Sequence, residues 1–539
     1  MAKVTLLRDR NRVFNELVDS SQRHRGRREN LFSPGVKKLM KTVAEYLESL
    51  RRRNIRLFLR GEQILPAAIL DHPLIAPSIR ALAESYRLAS QPGWQELMTA
   101  PSSFIAERVN RFTHIFEQPD DLLKKIKMQR VLGRLTGTCF QRCVGMDALN
   151  AVYNTTYEID RAEGTIYHTR FKEYLRHVQR EDLVLCGAMT DPKGDRRRAP
   201  SEQPDMYLRV VERRPDSVVV CGAKLHQTGV VNSHEIIVMP GRSLRPEEAD
   251  FAVVFAVPVD APGITLVYGR KPNDDRRYDC HIDQGNPQYG NQEAIVLFDN
   301  VEVPMRQVFL LGETAWATLL VDYFAAFHRQ SYGGCKPGNG DVLIGAAALI
   351  ARINGVENAS HIREKLVEMV QLNETMHACG IACSTQCVRT PAGAYRVDWL
   401  LANVTKQNVT RNPYEMARLA EDIAGGLLVT LPAEEDLRHP DYGTTLQHYL
   451  TGAYGDAETR QRVLRLIETM TIGETAAAFR TESMHGAGSP QAQRVRIAVQ
   501  ADLEDKIALA KRLAGLVDAD TARIEQAEDH LARVNALKK

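Results

Sequence analysis

A chain of 539 residues, 44% of them hydrophobic and 25% charged, can bury more than one core and is expected to divide into two or three domains. Its 70 Lys and Arg against 67 Asp and Glu leave a formal charge of only +3, too little for a polyanion-coating surface, so nucleic acid is not an expected partner. No window approaches the roughly 18 apolar residues of a membrane span, the first thirty residues carry no secretory pattern, and nine cysteines in such a chain point to reduced thiols or metal ligands rather than disulfides; a soluble, cytoplasmic protein with no membrane partner is expected.

Residues 1–30 form a basic tail in which Arg23, His24, Arg25, Arg27 and Arg28 are read as a solvated arm. Residues 31–180 are expected to be a helical domain: Leu39, Val43, Leu47 and Leu50 recur at helical spacing, and the same period returns in 63–90 and 121–154. The pattern changes over 181–313, where the segments 206–211, 217–221, 235–239, 251–257, 264–269 and 294–303 are short, β-branched and bounded by Gly, Pro, Asp or Asn, the pattern of a small antiparallel β-domain. From 314 to 539 the helical period resumes as a bundle broken at Gly-Gly, Leu-Pro and Gly-Ser-Pro. The longest apolar stretches, 251–259 and 342–353, fit a buried strand and a buried helix. Helices, a compact sheet and a helical bundle make an α+β order in which a planar cofactor can lie where the domains meet.

Cys139 and Cys143 stand four residues apart in the stretch that begins near Asp121; on a helix they would share one face, although the same spacing also arises from small buried hydrophobes. A partner pair appears in His328-Arg329-Gln330-Ser331-Tyr332-Gly333-Gly334-Cys335-Lys336, where the double glycine is expected to turn the backbone tightly. Three thiolates and one imidazole suit either structural zinc or an iron-sulfur cluster with an unusual ligand, and spacing alone does not choose between them. Cys379, Cys383 and Cys387, with His377 nearby, offer a competing set; a thiol-bearing stripe packed in the bundle is the preferred reading.

Neither a Gly-x-Gly-x-x-Gly after a strand nor a Walker motif is present, so a nucleotide cofactor needs another fold. Residues 187–194, 224–229 and 421–426 are polar, Gly-punctuated and able to wrap an isoalloxazine, with ordinary turns as the plainer reading of each.

The segments Glu45-Tyr46-Leu47-Glu48-Ser49-Leu50, Met189-Thr190-Asp191-Pro192-Lys193-Gly194-Asp195, 223–240 and Met484-His485-Gly486-Ala487-Gly488-Ser489-Pro490 together resemble the 4-hydroxyphenylacetate 3-hydroxylase superfamily, from about Val36 to the end. Within it, Cys-x3-Cys combined with His-x6-Cys resembles the 4-hydroxybutyryl-CoA dehydratases, because the flavin monooxygenases have no use for those ligands. The resemblance implies an acyl-CoA dehydrogenase-like fold, a homotetramer, FAD, and a 4Fe-4S cluster held by Cys139, Cys143, His328 and Cys335. It places Thr228 near the flavin, with Met189, Thr190, Asp191, Lys193, His226, Gln227, Asp422, Gly425 and Gly426 as the further FAD candidates, and Glu293, Tyr332, Lys336 and Glu482 in the active-site shell. The implied activity is reversible dehydration of 4-hydroxybutyryl-CoA to crotonyl-CoA, with isomerisation of vinylacetyl-CoA. His328 would serve as ligand and base, a transient substrate radical would acidify the C3 hydrogen, and the cluster would assist departure of the hydroxyl. Arg270-Lys271 and Arg276-Arg277 are the guess for the CoA nucleotide. The alternatives are a two-component aromatic hydroxylase of the same superfamily and a scaffold fastened by structural zinc.

Overall fold

A capping box starts the first helix, α1 (Val43–Arg51): the Thr42 hydroxyl accepts from the Glu45 N–H, and the Glu45 carboxylate accepts from the Thr42 N–H. Tyr46 and Leu50, one turn apart, form its buried face. The computed structural model describes residues 40–269 and 276–516; the basic tail, Arg270, Lys271 and the Arg277 side chain lie outside the described residues. Helices α2 (Ala76–Ala89), α3 (Pro119–Thr136), α4 (Cys143–Glu163) and α5 (Tyr167–Arg180) complete the helical first part.

Strands β1 (Leu57–Leu59) and β2 (Glu62–Ile64) form a hairpin within it, and β3 (Leu185–Ala188), β4 (Arg209–Arg213), β5 (Ser217–Thr228), β6 (Glu235–Val238), β7 (Val253–Pro258), β8 (Ile264–Tyr268), β9 (Glu293–Pro304) and β10 (Val308–Leu311) follow. One sheet runs β2-β1-β8-β9-β5-β4 and the other β10-β7-β6-β3. Both are mixed rather than purely antiparallel, because β1 pairs parallel with β8 and β3 parallel with β6. The early hairpin therefore supplies two strands to the larger sheet: Leu57 and Leu59 are buried against it, and a run of three residues is too short to show a period in sequence. Between the sheets lie Val218, Val220, Phe255, Leu266 and Val296, all essentially excluded from water.

The C-terminal part contains α6 (Ala317–Ile353), α7 (Ser360–Thr385), α8 (Trp399–Val409), α9 (Asn412–Ala424), α10 (Ala457–Thr471), α11 (Pro490–Gln500) and α12 (Leu503–Leu513). The apolar stretches at 251–259 and 342–353 are the buried strand β7 and the buried end of α6. The Gly-Gly break ends α9, and Ser489 caps α11 ahead of Pro490. Among the described residues no helix is long and apolar enough to cross a membrane.

Helix α6 is 37 residues long and runs straight through Gly333 and Gly334, which corrects the expected tight turn. These glycines serve helix contact. A Cβ on Gly334 would stand 2.8 Å from the Ile126 carbonyl of α3, one on Gly333 2.8 Å from the Gly380 Cα of α7, and one on Gly133 2.6 Å from the Cys335 carbonyl. Three backbones thereby come closer than ordinary side chains permit.

Candidate active site

The two leading thiols do not share a helix, contrary to expectation. Gly137 ends α3 in the left-handed conformation, Gln141 also adopts positive φ, and α4 starts at Cys143, so Cys139 lies in a buried connection between two helices. Gln141 fixes that connection: its amide nitrogen donates to the Cys139 carbonyl (3.1 Å) and its oxygen accepts from Asn232 (2.8 Å). Gly229 packs directly on Gln141, which puts the 224–229 segment against the thiol loop.

Helix α6 brings the other half. Cys335 is buried beside Cys139 and Cys143, close enough for the thiols to perturb one another. Burial raises all three thiols; for Cys139 the Glu482 carboxylate adds to the rise, whereas Lys336 opposes it for Cys139 and Cys335. Gln129 of α3 donates to the Cys143 sulfur at 3.2 Å. His328, two turns before Cys335, lies against the Phe324 ring and edge-on to Tyr332, and its Nδ1 meets the Asp147 carboxylate at 2.8 Å. Among the described residues no three His, Cys, Asp or Glu side chains converge on a point where one ion could sit.

Tyr332, Lys336 and Glu482 adjoin this set. Lys336 donates to Glu482 at 3.1 Å and to the Ala478 carbonyl. Burial works against its charge, but Glu482, Cys335 and Cys139 outweigh it and hold the ammonium above the ordinary lysine value. Burial and Glu482 push the Tyr332 phenol up. Glu293 pairs across β9 and β5 with Thr228, whose hydroxyl donates to its carboxylate at 2.8 Å.

The 187–194 and 224–229 segments meet. Lys224, fully buried, reaches Asp191 at 2.8 Å and donates to the Met189 and Met239 carbonyls, while the Thr190 carbonyl accepts from the Leu225 N–H. Lys193 and His226 both take positive φ there, and Gln227 is buried. The third segment stands apart: Asp422 is paired with Lys365 of α7 at 2.7 Å, Gly425 and Gly426 are exposed at the end of α9, and among the described residues no hydrogen bond joins it to the other two.

Two groups escaped the sequence reading. Asp147 follows Cys143 by one helical turn, a spacing that could have flagged it. Lys406 of α8 is fully buried, with Nζ 3.7 Å from the Tyr332 ring centroid and donating to the Ser483 carbonyl at 2.6 Å. Burial, then Lys336 and Arg329, hold it well below the usual lysine range. The competing thiols have plainer work: Cys383 is buried facing the Asp398 carbonyl, Cys379 accepts from Asn408, and His377 Nδ1 meets the Gly333 carbonyl. Cys139, Cys143 and Cys335 form no disulfide, and neither do Cys379, Cys383 and Cys387.

Comparison with known proteins shows the family. Residues 42–310 match the family described as 4-hydroxyphenylacetate 3-hydroxylase N terminal, and residues 317–515 match its C-terminal counterpart. The chain is 52% identical over 491 residues to the 4-hydroxybutyryl-CoA dehydratase/vinylacetyl-CoA-Delta-isomerase of Clostridium aminobutyricum, covering 89% of this chain and 100% of that one. It superposes with a TM-score of 0.87 and 52% identity on an oxygen-tolerant archaeal 4-hydroxybutyryl-CoA dehydratase from N. maritimus, covering 89% and 96% of the two chains. The fold also matches the oxygenase component of 4-hydroxyphenylacetate 3-monooxygenase complexed with FAD, at TM-score 0.76 and 23% identity over 88% of this chain and 99% of that one. The chain belongs to the 4-hydroxyphenylacetate 3-hydroxylase family, on the branch of the 4-hydroxybutyryl-CoA dehydratases.

Proposed function

We propose that this enzyme dehydrates 4-hydroxybutyryl-CoA reversibly to crotonyl-CoA and isomerises vinylacetyl-CoA, with FAD and a 4Fe-4S cluster. The identity of 52% with a protein named for both activities carries the reading. The donor set fits the cluster. Buried thiols are costly to ionise, and burial outweighs the nearby Lys336, Lys406 and Lys125, so a metal cluster answers a need that burial creates. Each iron of a 4Fe-4S cluster takes one protein ligand, so Cys139, Cys143, His328 and Cys335 need not meet at one point. The FAD reading rests on the flavin-bound relative and on the packed 187–194 and 224–229 segments, whose Met189, Thr190, Asp191, Lys193, His226, Gln227 and Thr228 would hold it. Asp422, Gly425 and Gly426 stand apart from those two segments within the chain. We read the helix, sheet and helix order as acyl-CoA dehydrogenase-like, with divisions near residues 180 and 313, and the assembly as a homotetramer.

The substrate is difficult because the thioester does not acidify the C3 hydrogen and hydroxide leaves C4 poorly. When bound, FAD supplies one-electron chemistry and the cluster supplies Lewis acidity. His328, held at Nδ1 by Asp147, would offer the one lone pair of its other nitrogen as a ligand and, only when that nitrogen is not ligating, as acceptor of the C2 proton. Tyr332 and Glu482 handle the second proton, and Lys336 neutralises charge developing near the thioester. Glu293, held by Thr228, lies beside the 224–229 segment.

Protein purified without oxygen is expected to hold about four irons and about one FAD per chain and to form crotonyl-CoA from 4-hydroxybutyryl-CoA. Cys139→Ser or His328→Ala should remove that turnover together with iron. Fully active protein lacking iron overturns the reading.

A further inference from the structure

Asp147 connects the two halves of the ligand set. It sits one turn after Cys143 on α4, is completely buried, and reaches across to α6, where its Oδ2 meets His328 Nδ1 at 2.8 Å and the Ser331 hydroxyl at 2.9 Å. Its other oxygen is 2.6 Å from Lys125 Nζ of α3. Lys125 is equally buried, and its remaining protons go to the Phe327 carbonyl and the Gln330 side chain, both at 2.9 Å. The Phe116 and Phe327 rings flank it. Lys125 and Asp147 form a fully buried ion pair across 2.6 Å, and a carboxylate so paired can only accept.

The donors around it can then be assigned. Gln129 donates to Ser331 (2.9 Å), and the Ser331 proton has Asp147 at 2.9 Å as its nearer, charged acceptor and the Phe327 carbonyl at 3.2 Å as the other. The bond between Asp147 and His328 must use a proton on Nδ1, which leaves Nε2 of the neutral ring with its lone pair. Phe324 and Tyr332 set the ring plane, and the carboxylate sets the tautomer and the rotation within that plane. The same amide of Gln129 also donates to the Cys143 sulfur, so one hydrogen-bonded brace spans α3, α4 and α6 and touches a thiol and the imidazole together.

We propose that Asp147, braced by Ser331 and Lys125, is the positioning residue that fixes His328 for its role as ligand, by holding Nδ1 protonated and directing Nε2 toward the thiols. This rests on the cluster reading above. A carboxylate behind a ligating imidazole orients it and raises its basicity, and loss of such a partner weakens metal retention.

Removing Asp147 alone would strand Lys125 as an unpaired buried cation, so the pair is replaced together. Lys125→Met with Asp147→Asn keeps an acceptor for Nδ1; Lys125→Met with Asp147→Leu keeps the shape and removes it. Iron per chain and the anaerobic rate of iron loss to a chelator are measured beside thermal stability. The Leu pair is expected to lose iron at least about tenfold faster than the Asn pair; equal rates overturn the proposal. Ser331→Ala leaves the ion pair intact and decides the matter if the double variants do not fold: iron loss about threefold faster than wild type is expected, and an unchanged rate overturns the brace. Wild-type protein that binds no iron would sink the cluster reading itself, whereas iron-loaded wild type with indifferent variants sinks only the role of Asp147.

Discussion

Two lysines border Tyr332 and meet opposite fates. Lys336 has Glu482 beside it and keeps its charge, whereas Lys406 has carbonyl partners and two cationic neighbours, so its charge is disfavoured. Tyr332 is confined between them, with its hydroxyl so close to Gly486 that a Cβ there would collide with it. Such groups are hard to find in a sequence, where a lysine or aspartate on a helix is ordinarily a solvated one; Asp147 and Lys406 were passed over for that reason. Thr228 was identified, and the structure shows what its hydroxyl does: it is a donor to Glu293. Thr228→Ala leaves that carboxylate without this donor at the flavin segment while the thiol loop stays intact. The expected result is lower FAD content with iron retained, measured on the same preparation; loss of iron with FAD unchanged would contradict it.

Helix α6 depends on small residues and one compensated fault. Pro337 has no N–H to give the Gly333 carbonyl, and His377 of α7 meets that oxygen at 3.0 Å instead. His377→Ala should therefore cost about 1–3 kcal/mol by leaving a buried acceptor unmet, seen as a lower Tm with iron content unchanged. An iron loss of the same size would mean that His377 belongs to the metal set after all. Gly338 faces α3, where a Cβ would overlap the Arg130 carbonyl and stand 2.8 Å from the Arg134 nitrogen. Since backbone cannot step aside as a side chain can, Gly338→Ala is expected to destabilise by about 1–3 kcal/mol and to loosen the register of Cys335 against the other thiols. Denaturation midpoints check the first effect and iron content the second. The glycine pair at 333–334 was visible in the sequence, but its use was not: glycine serves tight turns and close helix contacts alike, and only the neighbouring helix distinguishes them.

Several histidines across the molecule are held below the ordinary imidazole pKa. His168 is lowered to about 4, by burial and then by Lys172, and burial likewise lowers His72, His226, His234 and His377. A group whose folded pKa lies below its unfolded value binds its proton more readily when the chain unfolds. Stability is therefore intact above pH of about 6.5 and falls as pH drops toward 4. Calorimetry across that window should show a declining Tm, and His168→Gln should flatten part of the decline. A Tm independent of pH in this range would mean that these rings are solvated in the folded protein.

Local order in the chain determined a good deal: the succession of helices, sheet and helices, the six β segments expected between residues 206 and 303, though not β3 and β10, and the Cys-x3-Cys and His-x6-Cys pairs on which the resemblance was read. These are readable because periodicity, breakers and ligand spacing are written within a few residues of one another. Which of nine thiols meet was settled only by folding. Cys139 and Cys335 are brought together by α3, α4 and α6 packing at glycines, and the His328 ring meets a carboxylate on another helix. Close packing and burial act between distant parts of the chain, and neither a period nor a motif carries that information.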